Sequence, residues 1–224
     1  MNAIGENLAE IRARIDAAAR AARRDPAEVT LIAVSKEVGP DAVIDAIAAG
    51  QRDFGENRAQ ELAAKVDALE AGGSDQPVWH FIGRLQRNKV KAVAPAVGLW
   101  HSVDRVEIGA AIAMHAPGAR VLVQVNVGAE EQKGGCRPDD AAGIEAALRE
   151  MGLAVEGLMP VPPHAGDPRP HFATLRELAS GLGLATLSMG MSGDFEAAIA
   201  EGATIVRVGT AIFGSRPSGP DLLR

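Results

Sequence analysis

At 224 residues the chain has room for one large domain or two small ones, and 47% hydrophobic against 23% charged residues is the balance of a globular protein with a real core. A net charge of −6, with both signs interspersed along the chain, argues against a generic nucleic-acid or acidic-membrane binder. The one cysteine, Cys136, can form neither an intramolecular disulfide nor a thiolate metal cluster, which suits a reducing cytoplasm, and tyrosine is absent altogether.

In chain order, Ile4, Leu8, Ile11 and Ile15 recur at helical spacing, so residues 1–24 read as an amphipathic helix laid on the rest. That segment has no apolar run long enough for a signal peptide, and no later segment suits a membrane span. A rhythm then sets in of a short apolar run, a Gly/Pro/Asn/Asp break and an Ala-rich helical stretch. The candidate strands are VTLIAVSK, QRDFGEN, VWHFIG, GLWHSVD, RVLVQVNV, LAVEGLMPV, ATLSMG and TIVRVGT. Helical faces between them carry Val43, Ile44 and Ile47, then Leu62, Val66 and Leu69, and later Leu175, Leu178 and Leu182. Eight strands alternating with helices predict an α/β protein, a single (β/α)₈ TIM-type barrel with an extra N-terminal helix, and leave an open parallel sheet as the alternative. No composition shift divides residues 1–224, so one barrel domain is expected, with 215–224 as a tail. The polar stretch 128–140 and the proline-rich stretch 160–170 are expected to be loops after the fifth and sixth strands.

Barrels gather their chemistry at the C-terminal ends of strands. The polar residues there are Lys36, Asn57, His80, Lys133, Ser188, Ser192, Arg207 and Thr210. Lys36 shares the parity of Ile32 and Val34, so if those side chains fill the barrel, the amine enters its mouth. An amine walled by apolar groups loses basicity, and its neutral form attacks carbonyls. The other reading is a strand-end lysine reaching water along its apolar stem. Ser188 to Gly193 follows the seventh strand and Arg207 to Thr210 ends the eighth, where barrels often cradle phosphate. A helix opening near Ser192 would present its positive end there, although Asp194 and Glu196 bring negative charge to the same turn. Taken as ordinary turns, these segments make Ser192 an N-cap. With Lys36 they suggest a phosphorylated aldehyde held at both ends.

The stretches AVSK (33–36), FGEN (54–57), WHFIGRLQRNK (79–89), HSVD (101–104), GLM (157–159), SMGMSGD (188–194) and RVGTAIFG (207–214) run through almost the whole chain. In these the chain resembles the pyridoxal phosphate homeostasis protein family, whose fold is similar to the N-terminal barrel of alanine racemases. The resemblance implies pyridoxal 5′-phosphate (PLP) as cofactor, carried by Lys36 as an internal aldimine. It implies that Arg207 faces the pyridine nitrogen and that Ser192, Gly209 and Thr210 hold the phosphate, with Asn57 nearby. His80 is expected beside the cofactor ring or as a satisfied structural histidine. An arginine can only donate to the ring nitrogen, which leaves the ring a poor sink for carbanion electrons. By resemblance, alanine racemases also need a tyrosine and a further β domain, and this chain has no tyrosine.

The expected function is therefore cytoplasmic binding and delivery of PLP, with apo PLP enzymes as recipients and little or no turnover of its own. A low-activity racemase and a cofactor-free aldolase-like barrel are the alternatives. No metal site is expected, because His80 and His101 belong to no ligand motif. Lys133 is a solvated loop lysine or a secondary cofactor site. His101 reads as structural, His164 and His171 as exposed, Cys136 as a bystander in a flexible loop, and Arg84, Arg87, Lys89 and Lys91 as a solvated face.

Overall fold

The computed structural model of the chain describes residues 2–73, 77–128, 134–161 and 166–214. Each predicted strand and helix forms, because the β-branched runs and the Ala-rich runs favour different backbones. Helix α1 (Ala3–Ala21) is capped by Asn2, whose side chain accepts from the Gly5 N–H at 2.9 Å. The barrel then runs β1 (Thr30–Val34), α2 (Pro40–Ala48), β2 (Asp53–Glu56), α3 (Ala59–Ala71), β3 (Val78–Phe81), α4 (Arg87–Val93), β4 (Val97–Val103) and α5 (Val106–His115). It continues through β5 (Arg120–Val125), α6 (Ala141–Glu150), β6 (Ala154–Pro160), α7 (Arg169–Gly181), β7 (Thr186–Leu187), α8 (Phe195–Ala200), β8 (Ile205–Val208) and α9 (Thr210–Phe213).

The strands pair in parallel in the order β7-β6-β5-β4-β3-β2-β1-β8. The ring closes between β7 and β8, where the Met189 N–H donates to the Ile205 carbonyl and the Arg207 N–H to the Gly190 carbonyl, both at 3.0 Å. This is a (β/α)₈ barrel with an added N-terminal helix. Among the described residues, no helix is long and apolar enough to cross a membrane.

Alternation along the strands sorts side chains into two sets. Ile32, Val34, Leu99, Leu122 and Ile205 form a small cluster inside the barrel, with Ile82 against it. Leu31, Ala33, Phe54, Trp79, Phe81, Val121, Val123, Val206 and Val208 point the other way and join the larger core under the helices. Leu8, Ile11 and Ile15 of α1 belong to that core, as their spacing predicts. In α2 the buried positions are Val43 and Ala46, while Ile44 is 38% exposed. The helix meets the barrel through Val43, Ala46 and the partly buried Ile47, with Ile44 turned outward.

Cys136 departs from expectation. It is buried and strand-paired, its N–H donating to the Gln124 carbonyl at 2.9 Å and its carbonyl accepting from the Asn126 N–H at 2.8 Å. Burial, helped by Asp140, pushes its thiol up to about 12. Since the thiolate is the nucleophile, iodoacetamide near pH ~8 is expected to label Cys136 about a thousandfold more slowly in the native protein than in unfolded chain. Mass spectrometry of the labelled peptide measures this, and equal rates would put the thiol in an open loop.

Candidate functional site

The end of β1 is fixed from behind. Ser35 is buried and its hydroxyl donates to Glu56 Oε1 at 2.6 Å. The Lys65 ammonium, on α3, donates to the Ser35 carbonyl at 2.6 Å and to the same Glu56 oxygen. Lys65 and Glu56 are both buried, so this is an ion pair in the barrel wall. Burial pushes the Glu56 carboxyl above the usual carboxylate range, against the Lys65 and Ser35 hydrogen bonds that pull it down. One residue beyond Lys36, Glu37 has φ +63°, the left-handed region that costs a non-glycine residue energy. Its N–H donates to Glu61 Oε2 at 2.8 Å. Lys36 thus leaves the barrel wall between a buried ion pair and a strained turn.

Beside it lies a cavity of about 310 Å³, whose lining includes Lys36, Val34, Ile82, Ser192, Arg207 and Thr210. Gly209 also lines it and passes so close to β1 that a Cβ there would sit 3.1 Å from the Val34 carbonyl oxygen. The two carboxylates near this rim are engaged elsewhere. Asp194 Oδ1 accepts from the Met191 N–H at 2.6 Å, and Glu196 accepts from the Arg14 guanidinium at 2.9 Å. Helix α1 therefore pairs the Glu196 charge with Arg14, while Asp194 keeps its charge and is turned to the Met191 backbone. The helix itself starts at Phe195 with Asp194 as N-cap, so Ser192 neither caps it nor opens it.

Arg207 is 6% exposed, and burial pushes its guanidinium down to about 10, with Asp194 pulling the other way. It remains a cation near neutral pH. Its Nη1 donates to the Ser188 carbonyl, and to Ser188 Oγ at 2.8 Å. Ser188 Oγ lies 2.8 Å from His101 Nδ1, His101 Nε2 lies 2.9 Å from His80 Nδ1, and His80 Nε2 lies 3.0 Å from Asp53 Oδ1. Burial above all, then His80, Arg207 and Arg120, pushes His101 well below the usual imidazole range. Among the described residues no cluster of His, Cys, Asp or Glu is arranged to hold a metal ion.

Residues 7–217 match the family described as the N-terminal domain of alanine racemase. A protein of Pseudomonas aeruginosa named pyridoxal phosphate homeostasis protein is 48% identical, over 98% of this chain and 98% of its own. One of the same name from Escherichia coli K12 is 41% identical over 96% and 98%. The chain belongs to the pyridoxal phosphate homeostasis protein family. PipY of Synechococcus elongatus, solved without PLP and with PLP bound, superposes with TM-scores of 0.83 and 0.82 at 34% identity, over 94% of this chain and 100% of PipY.

Three of the stretches that carry the likeness to pyridoxal phosphate homeostasis proteins supply the polar residues at this end of the barrel. AVSK supplies Lys36, SMGMSGD supplies Ser188 and Ser192, and RVGTAIFG supplies Arg207, Gly209 and Thr210. Asn57 and His80 do not line the Lys36 cavity. Asn57 lies in a separate cleft with Arg58, Arg84 and Lys89, and His80 stands behind Arg207 in the hydrogen-bonded chain. His101, read as structural, is a link in that chain, and His171 is half-buried with Nδ1 3.2 Å from the Val127 carbonyl oxygen. Lys133, His164 and the tail 215–224 lie outside the described residues. Lys65 was missed, although a signal existed: it sits three residues after Leu62 and four before Leu69, on the apolar face of α3.

Proposed function

We propose that this member of the pyridoxal phosphate homeostasis protein family binds PLP reversibly, with the Lys36 amine as its attachment point. In the cytoplasm it buffers the cofactor and delivers it to apo PLP enzymes, with little turnover of its own. The observation that carries this reading is the shared cavity, in which one amine, one buried guanidinium, two hydroxyl side chains and a glycine-bearing turn meet. Its volume of about 310 Å³ is at the lower end for small-molecule sites, which suits a single cofactor ring. Gly209 supports the fit in another way: without a side chain it lets the end of β8 lie against Val34, which keeps Arg207 and Thr210 beside the strand that carries Lys36.

When bound, PLP supplies an aldehyde carbon that captures amines. Lys36 offers the amine, held at the mouth by the Ser35–Glu56–Lys65 cluster. Arg207 donates hydrogen bonds and, as a cation, has no lone pair with which to accept a proton from the ring nitrogen. Ser192 and Thr210 offer hydroxyl donors for the phosphate. The site is thereby suited to hold PLP while leaving its ring a weak electron sink. Binding without strong carbanion chemistry is what a carrier requires.

The test is spectral. Purified protein incubated with PLP and dialysed is expected to keep a visible absorption band. Borohydride is expected to fix the cofactor to the peptide containing Lys36, and Lys36→Ala should abolish both signals. A wild-type protein that stays colourless after reconstitution would overturn the reading.

A further inference from the structure

A buried guanidinium is costly unless its donors are matched, and the recorded partners of Arg207 are the two neutral oxygens of Ser188. The compensation continues further along. Asp53 opens β2 at the N-terminal end of the barrel, where it lines a second, polar cavity with Arg12, Thr30 and Gln51. His80 on β3 and His101 on β4 carry the chain inward, and Ser188, just after β7, receives it on the far side of the ring. His80 is 4% exposed, and His101 and Ser188 are fully buried, so the path is dry between its two ends.

One assignment of protons satisfies every group on this path. Arg207 donates to Ser188 Oγ, the Ser188 hydroxyl donates to His101 Nδ1, His101 Nε2–H donates to His80 Nδ1, and His80 Nε2–H donates to Asp53 Oδ1. Reversing the two rings turns the His101 Nδ1–H toward a Ser188 oxygen already accepting from Arg207, and strands the hydroxyl proton. In the satisfied order every donor points the same way, from the guanidinium at one end to the carboxylate at the other, and such chains strengthen cooperatively.

We propose that Ser188, His101, His80 and Asp53 are positioning residues that lock the Arg207 guanidinium in place from across the barrel, so that its grip on a bound cofactor depends on a carboxylate at the opposite end. The cofactor half of this inference rests on the function proposed above. The locking half does not, and is read on protein without PLP.

Ring-nitrogen NMR of the PLP-free protein is expected to show both His80 and His101 protonated at Nε2 and bare at Nδ1. Arg207 should show slowed guanidinium rotation, lost in Ser188→Ala and loosened in Asp53→Ala. A proton on His101 Nδ1, or unchanged Arg207 rotation in both variants, would overturn the proposal whatever the protein binds. After PLP is added, Ser188→Ala is expected to release it about tenfold faster, the loss of one hydrogen bond to a charged group. Asp53→Ala, at the partly exposed far end, should also release PLP faster and shift its visible absorption maximum, with its thermal midpoint retained. His101→Gln is the second variant should Ser188→Ala fail to fold. Wild-type release rates and spectra in all variants that fold would also overturn the proposal. Failure of wild type to take up PLP would instead overturn the function, leaving the NMR result to decide the lock.

Discussion

Lys65→Met is expected to destabilise the protein by about 3–5 kcal/mol, the cost of removing one partner from a buried ion pair. The reason lies in what remains. Glu56 is fully buried, its Oε2 has no hydrogen-bond partner, and without Lys65 its Oε1 keeps the Ser35 hydroxyl. A carboxylate so placed takes up a proton to avoid the desolvation penalty. The sign of the pH dependence follows from linkage. Glu56 already titrates above the carboxylate range, so the folded protein holds a proton that the unfolded chain releases. Stability therefore falls as pH rises from the ordinary carboxylate value through the raised one. In Lys65→Met that window extends further upward, so urea midpoints of variant and wild type should diverge with rising pH. Lys65→Met combined with Glu56→Leu should recover much of the loss, because a matched apolar pair carries no buried charge. Equal stability of the single variant and wild type across this range would show that the pair is not in the wall. The variant should also bind PLP more weakly, since Lys65 holds the Ser35 carbonyl directly before Lys36.

That cluster shows where reading the chain by its pattern succeeds and stops. The parity of Ile32, Val34 and Lys36 was visible because a strand has a period of two, and the first two do fill the barrel beside the Lys36 cavity. The rim at Arg207–Thr210 was visible because barrels often cradle phosphate after the last two strands, and it reaches the Lys36 cavity because β8 pairs with β1, Ile32 with Arg207 and Ala33 with Val208. Contacts across the ring left no local trace. His101 and Ser188 are 87 positions apart and meet only because β4 and β7 face each other through the barrel. Local signals also misled. Ser192 is a fair N-cap by residue type, yet the helix starts two residues later, at Phe195, with Asp194 in the cap position. Cys136 sits in a polar stretch that looks like free loop, yet that stretch returns to pair with β5.

Gly157→Ala and Gly143→Ala make the same chemical change and are expected to act with opposite sign. Gly157, in β6, pairs with Thr186 in β7, and a Cβ at 157 would stand 1.8 Å from the Thr186 carbonyl oxygen. The obstacle is backbone, so no rotamer change relieves it. β7 is two residues long and has little ladder with which to resist displacement. Pushing it outward strains the closure to β8 and moves Ser188, the next residue, away from Arg207. Overpacking in a tight core costs about 1–3 kcal/mol, and a clash with backbone belongs at or above the top of that range. Gly143, in contrast, lies exposed within α6 with nothing within 4 Å of its added Cβ. There alanine only removes unfolded-chain freedom, and a gain of about 0.5–1 kcal/mol is expected. Urea titration of the two variants against wild type measures both. If Gly157→Ala were as stable as wild type, β6 and β7 would not be packed as tightly as their register requires, and the ring that presents Arg207 to Lys36 would be open at its seam.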